Sequence, residues 1–157
     1  MPAEIMPSDQ MTIERSRHRA SGASEMRDRD MSTVLVVEDN PDVRLVAEDL
    51  LKLLGYRVIC VEHGSDALVV LESDQQVDLL FTDMVLPGDL NGRKLMEVAL
   101  EVRPNIKMLG TSGYAEETLA SESALPVGIL LLPKPYKMKE LAAAIEHALA
   151  FEESLVA

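Results

Sequence analysis

Three carboxylates, a hydroxyl and an ammonium stand at the ends of short apolar runs in this chain. Glu38 and Asp39 follow the run Thr33-Val-Leu-Val-Val37, and Asp83 follows Asp78-Leu-Leu-Phe-Thr82. Thr111 follows Ile106-Lys-Met-Leu-Gly110, and Lys134 comes just after a fifth run that ends at Leu132. Taken singly, an acid in such a place is an ordinary solvated loop residue. Brought to one point, three acids repel one another unless protons or a cation neutralise them. Oxygen-only ligands on an open rim suit Mg2+ (or Mn2+), which keeps several waters when bound. With the hydroxyl and the ammonium added, the set is suited to phosphoryl transfer. A carboxylate accepts the group, the cation and Lys134 neutralise its equatorial oxygens, and Thr111 donates a hydrogen bond to one of them. A cis bond between Lys134 and Pro135 would aim the lysine back across the fold.

Whether these groups meet depends on the elements that carry them. The run at 33–37 is short and continuously apolar, as expected of a strand buried on both faces. Asn40-Pro41 then reads as an N-cap with proline at the first helical position. Val43, Val46, Ala47, Leu50, Leu51 and Leu54 follow at helical spacing, and Gly55 closes the helix. The same alternation continues with strands at 57–61, 78–82, 106–110 and 127–132. Helices are expected at 65–72, 92–102, 115–123 and 137–151, with Pro104 stopping the third of the five helices. Strands alternating with helices predict right-handed crossovers and a parallel sheet covered on both faces. The fold class expected is α/β, a flavodoxin-like (βα)5 three-layer sandwich with strand order 2-1-3-4-5. In that order the first and third strands are neighbours, and their carboxyl ends form the switch point where ligands bind. Glu38, Asp39 and Asp83 all fall there.

Composition narrows the classes of function. The chain has 157 residues, room for one domain of ordinary size, and 47% of them are hydrophobic. A formal net charge of −12 argues against nucleic acid or an anionic membrane surface as partner. No run is long and apolar enough to span a bilayer, and the amino end lacks the pattern of a secretory signal. The single cysteine, Cys60, cannot form an intramolecular disulfide and reads as a small buried side chain. The protein is therefore expected in the cytoplasm, as a monomer or weak dimer. Residues 1–30 differ from the rest: six acids and five arginines accompany few branched apolar residues. Such a stretch reads as a disordered tail, with an arginine-rich docking arm at 15–19 as the lesser alternative. The predicted layout is a tail at 1–30, a domain at 31–152 and a short tail at 153–157. The domain without its leading tail has 21 acidic against 10 basic residues, about −11.

Four segments resemble one family. Val34-Leu-Val-Val-Glu-Asp-Asn-Pro41, Asp78-Leu-Leu-Phe-Thr-Asp83-Met-Val-Leu-Pro-Gly88, Thr111-Ser-Gly-Tyr114 and Leu132-Pro-Lys134-Pro-Tyr136 are similar to the receiver domains of bacterial response regulators, CheY-like proteins of two-component signalling. The resemblance covers residues 33 to about 150. It implies that Asp83 is the phospho-acceptor and that Asp39 is the more direct Mg2+ ligand, with Glu38 acting through water. It adds the backbone carbonyl of Val85 as a further ligand, and it has Thr111 turn towards the phosphoryl group while Lys134 pairs with it. Two departures stand out. The loop Pro87-Gly-Asp-Leu-Asn-Gly92 is one residue longer than the commonest form, and Leu131 stands where the family usually has a switching aromatic. The missing aromatic resembles a subclass often called FATGUY after its signature. Thr111 and Tyr114 match that signature, whereas Leu109, Gly110 and Ser112 differ from it. With no ring at Leu131, Tyr114 becomes the candidate mobile aromatic, on a loop leading into the polar helix expected at 115–123.

The function expected is that of a stand-alone receiver. A sensor histidine kinase or histidine phosphotransfer protein supplies the phosphoryl group, and the signal leaves by contact with a downstream protein or by onward phosphotransfer. Only Ser154-Leu-Val-Ala157 remains beyond the last helix and its two glutamates, so no output domain is expected. An aspartyl-nucleophile phosphohydrolase is the enzymatic alternative, but its two acids stand two residues apart after the first strand, which Glu38-Asp39-Asn40 does not match. A pseudo-receiver scaffold is the third reading, and it typically lacks the acceptor, the acids or the lysine. All are present here.

Overall fold

In the computed structural model, residues 32–113 and 128–151 are described. They form β1 (Thr33–Val37), α1 (Pro41–Leu53), β2 (Arg57–Val61), α2 (Gly64–Leu71), β3 (Leu79–Asp83), α3 (Gly92–Val102), β4 (Lys107–Ser112), β5 (Leu130–Pro133) and α4 (Met138–Ala150). The five strands make one sheet in the order β2-β1-β3-β4-β5, and every pairing is parallel. The expected α/β fold and strand order are thus borne out. The helix expected at 115–123, Tyr114, the leading tail at 1–30 and the tail at 153–157 lie outside the described residues.

Side-chain alternation divides the core in two, because successive residues of a strand point to opposite faces. Val34, Val36, Leu79, Phe81 and Leu109 face one way and pack against Ala47 and Leu51 of α1 and Leu141, Ala144, Ile145 and Ala148 of α4. Leu35, Val37, Leu80 and Met108 face the other way, onto Ala67 and Leu71 of α2 and Leu95, Met96 and Ala99 of α3. β1 and β3, covered on both sides, are buried at all five positions each. That explains why Val34–Val37 and Leu79–Phe81 are apolar without alternation.

The helix starts are set locally. The Asn40 side chain accepts hydrogen bonds from the amides of Asp42 and Val43, at 2.9 and 3.1 Å, so α1 begins immediately after the acids that close β1. The Asn91 side chain caps α3 by accepting from Lys94 N at 2.9 Å. The next residue must be glycine: a Cβ on Gly92 would run into the backbone of Asp83 and Met84. The start of α3 is therefore pressed against the end of β3.

β1 and β2 have the expected bounds, while the ends of β3, β4 and β5 differ from the expected ones by one to three residues, for a reason. The apolar runs stop at Thr82 and Gly110, but the backbone ladder continues past them. Asp83 is in register with Thr111, Met84 N donates to Thr111 O at 2.9 Å, and Lys134 N donates to Ser112 O at 2.8 Å. Hydrogen bonding and hydrophobic burial stop at different residues here. β5 starts three residues later than expected because Gly128, with φ of +87°, belongs to a turn.

Candidate functional site

At the carboxyl ends of β1 and β3 the chain leaves the sheet with Glu38, Asp39 and Asp83. These residues offer three carboxylate oxygens within 4.8 Å of one another, Glu38 and Asp83 buried and Asp39 the most exposed. Lys134, just beyond β5, reaches across β4 into the same place. Its Nζ donates to Glu38 Oε1 and to Asp83 Oδ2, both at 3.0 Å. The Lys134–Pro135 peptide is cis, as anticipated for this turn. Five of the sequence-derived residues thus stand together at the predicted switch point: Glu38, Asp39, Asp83, Lys134 and, one strand position away, Thr111.

The two buried carboxylates are held by further contacts. Asn40 N donates to Glu38 Oε2 at 3.2 Å, and Val85 N donates to Asp83 Oδ1 at 3.1 Å. The part of Val85 that engages Asp83 here is its amide; its carbonyl was expected to serve as a metal ligand. The Thr111 hydroxyl does not point at Asp83. It donates to Leu132 O on β5 at 2.7 Å. Leu131, the position lacking an aromatic, is turned into the core beside α2 and α3. A Cβ on Gly110 would come within 2.9 Å of its Cδ1 and within 2.8 Å of Met84 Sδ. Leu131 and Met84 therefore occupy the space that a side chain at 110 would need.

The electrostatics follow from burial. Desolvation pushes the Glu38 carboxyl above the usual carboxylate range, and the neighbouring Asp83 charge adds to this, while the hydrogen bond from Lys134 opposes both. For Lys134, burial acts downward but is outweighed by the hydrogen bonds and charges of Asp83 and Glu38. Its ammonium is held above the ordinary lysine value. The lysine is thus fixed in its charged form, yet one positive charge faces three acids. Burial, followed by the Glu38 charge, raises the Tyr136 phenol to about 12. Tyr136 stays neutral and packs at 6.0 Å between ring centroids, tilted, on Phe81. An oxygen-only cluster with an excess of negative charge fits a hard divalent cation.

Sequence reasoning did not single out Arg44. Its Nη1 donates to Glu38 O at 2.8 Å, across six residues from α1 to the end of β1. Nor did it foresee Asn40 bonding the Glu38 side chain through its own amide. Both contacts depend on where α1 begins, which the Asn40-Pro41 pair does signal.

Known proteins place the chain firmly. The response regulator receiver domain family matches residues 34–146. The sensor kinase CckA of Brucella abortus (strain 2308) is 34% identical over 119 residues, which are 75% of this chain and 12% of that protein. The chain thus spans about an eighth of that kinase. The response regulator receiver protein CpdR of the same organism is 31% identical over 119 residues, covering 76% of this chain and 98% of CpdR. Among solved structures, a response regulator receiver protein from Sinorhizobium medicae WSM419 superposes with a TM-score of 0.70 at 28% identity, covering 75% of this chain and 94% of the other. With the sheet order, the acidic cluster and the bridging lysine all in place, the chain belongs to the response regulator receiver domain family.

Proposed function

We propose that this receiver accepts a phosphoryl group on Asp83 from the phosphohistidine of a sensor histidine kinase or a histidine phosphotransfer protein, in an Mg2+-dependent reaction. The observation that carries the reading is the meeting of Asp83 with Glu38, Asp39 and the Lys134 ammonium at one end of the sheet. An Asp83 carboxylate oxygen attacks phosphorus, the P–N bond breaks, and the imidazole leaves with the bond's electron pair and takes up a proton. Asp83 is pre-aimed by Val85 N on one oxygen and by Lys134 on the other. Glu38, Asp39, Asp83 and the Val85 carbonyl would hold the cation, which supplies charge neutralisation of the transferring oxygens.

Lys134 already sits on the acceptor and would follow its charge onto the phosphoryl oxygens. Thr111 would exchange the neutral Leu132 carbonyl for a charged oxygen, a stronger acceptor. The signal leaves by protein contact or onward phosphotransfer, and the chemistry is confined to the protein's own phosphorylation and dephosphorylation. No helix among the described residues is long and apolar enough to cross a membrane. Intact mass after treatment with acetyl phosphate and Mg2+ tests the reading. The wild type should gain one phosphoryl mass and Asp83→Asn none. A full adduct on Asp83→Asn would place the acceptor elsewhere.

A further inference from the structure

We propose that Arg44 is a positioning residue for the acidic rim, holding the peptide between Glu38 and Asp39 in the orientation that binds a divalent cation. The inference rests on the reading above that Glu38, Asp39 and Asp83 form the cation site.

The chain turns from strand to helix over Glu38-Asp39-Asn40, and the contacts there are unevenly shared. Glu38 N donates to Val61 O at 3.2 Å, which ties the residue to β2. The Glu38 side chain is held at both oxygens, by Asn40 N and by Lys134 Nζ. All three of these contacts fix Glu38. The Arg44 contact differs, because the Glu38 carbonyl belongs to the planar peptide that also contains the Asp39 amide. Holding that carbonyl at 2.8 Å sets the plane from which the Asp39 side chain projects. Asp39 is the most exposed member of the cluster, so it has less packing to hold it than Glu38 or Asp83.

Arginine suits this task. Its guanidinium stays charged at every working pH and offers several donors on a rigid fork. Arg44 is half-buried on α1, whose start is fixed by the Asn40 cap. The donor and the acceptor therefore ride on elements that are each anchored independently. A group that orients a metal ligand without touching the metal typically governs affinity by about tenfold or more.

The test uses the full chain and three variants: Arg44→Met, which keeps the apolar stem, Arg44→Lys, which restores a charged donor, and Arg44→Gln, which serves if the Met variant does not fold. Mg2+ binding is read by titration calorimetry, phosphorylation by intact mass across a range of Mg2+ concentrations, and folding by melting temperature in EDTA. Arg44→Met should bind Mg2+ about tenfold more weakly. The Mg2+ needed for half-maximal phosphorylation should rise by the same factor, with the rate recovering at saturating Mg2+, and Arg44→Lys should regain most of the affinity. A lower melting temperature with unchanged Mg2+ affinity would overturn the inference, since a merely structural arginine behaves that way. A wild type that takes up neither Mg2+ nor a phosphoryl group overturns the site reading and this inference with it. A competent wild type beside an unaltered Arg44→Met and Arg44→Gln overturns the inference alone.

Discussion

Replacing Lys134 by methionine tests whether the lysine is a structural counter-charge, beside the role in phosphoryl transfer proposed for it. The change removes an ammonium that bonds two buried carboxylates at 3.0 Å each, and leaves a side chain of similar length. Breaking a buried ion pair from one side costs about 3–5 kcal/mol. The Lys134 side chain is 20% exposed, so water recovers part of that loss. A penalty of roughly 2–3 kcal/mol at neutral pH is expected, or a melting temperature lower by about 10 °C in EDTA. The penalty should also depend on pH. The Glu38 carboxyl is already raised by burial and the Asp83 charge, with the lysine opposing; without the lysine it rises further. A carboxyl whose folded pKa is raised contributes stability that is complete below its unfolded value and is lost as pH rises through the folded one. Acidification from pH 7.5 towards 5 should therefore narrow the gap between Lys134→Met and wild type as Glu38 takes up a proton. Urea denaturation at both pH values, without divalent cations, measures it. A gap that is absent, or that is the same or wider at low pH, would refute the reasoning.

Two further outcomes follow from the same geometry. Mg2+ at about 100 times its dissociation constant should stabilise the wild type by about 2.7 kcal/mol through mass action, and Asp39→Ala should lose most of that response while keeping the fold; equal stabilisation of both proteins would move the cation site elsewhere. Burial, with the Glu48 charge next, pushes the Cys60 thiol up to about 11 from 9.0, so at pH 8 its alkylation by iodoacetamide should run about a hundredfold slower than that of a free cysteine. Labelling of the native protein at the free-thiol rate would contradict the half-buried placement of Cys60 in β2.

Much of this protein is legible in its residue order because the signals are local. The apolar runs within β1 and β3, the Asn40-Pro41 start of α1 and the acids that close those runs all act within a few residues. Parallel order and crossover hand then bring Glu38, Asp39 and Asp83 to the switch point without further information. The resemblance pointed to the family, and the family match agrees with it. Tertiary structure decided matters in which distant backbone takes part. The strands outrun their apolar residues because hydrogen bonding to neighbouring strands continues to Asp83 and Ser112. Lys134 meets Glu38 across 96 positions, and no local pattern states whether a lysine reaches across two strands or into solvent. The Thr111 hydroxyl lies on Leu132 O rather than towards Asp83, a choice between two hydrogen-bond acceptors that only the register of β4 and β5 makes available. Leu131 turns inward because Gly110, on the neighbouring strand, has no side chain to exclude it. Arg44 became visible as a partner of the Glu38 carbonyl only once α1 was seated, since hydrogen bonds to main-chain oxygens leave no trace in residue type at the accepting end.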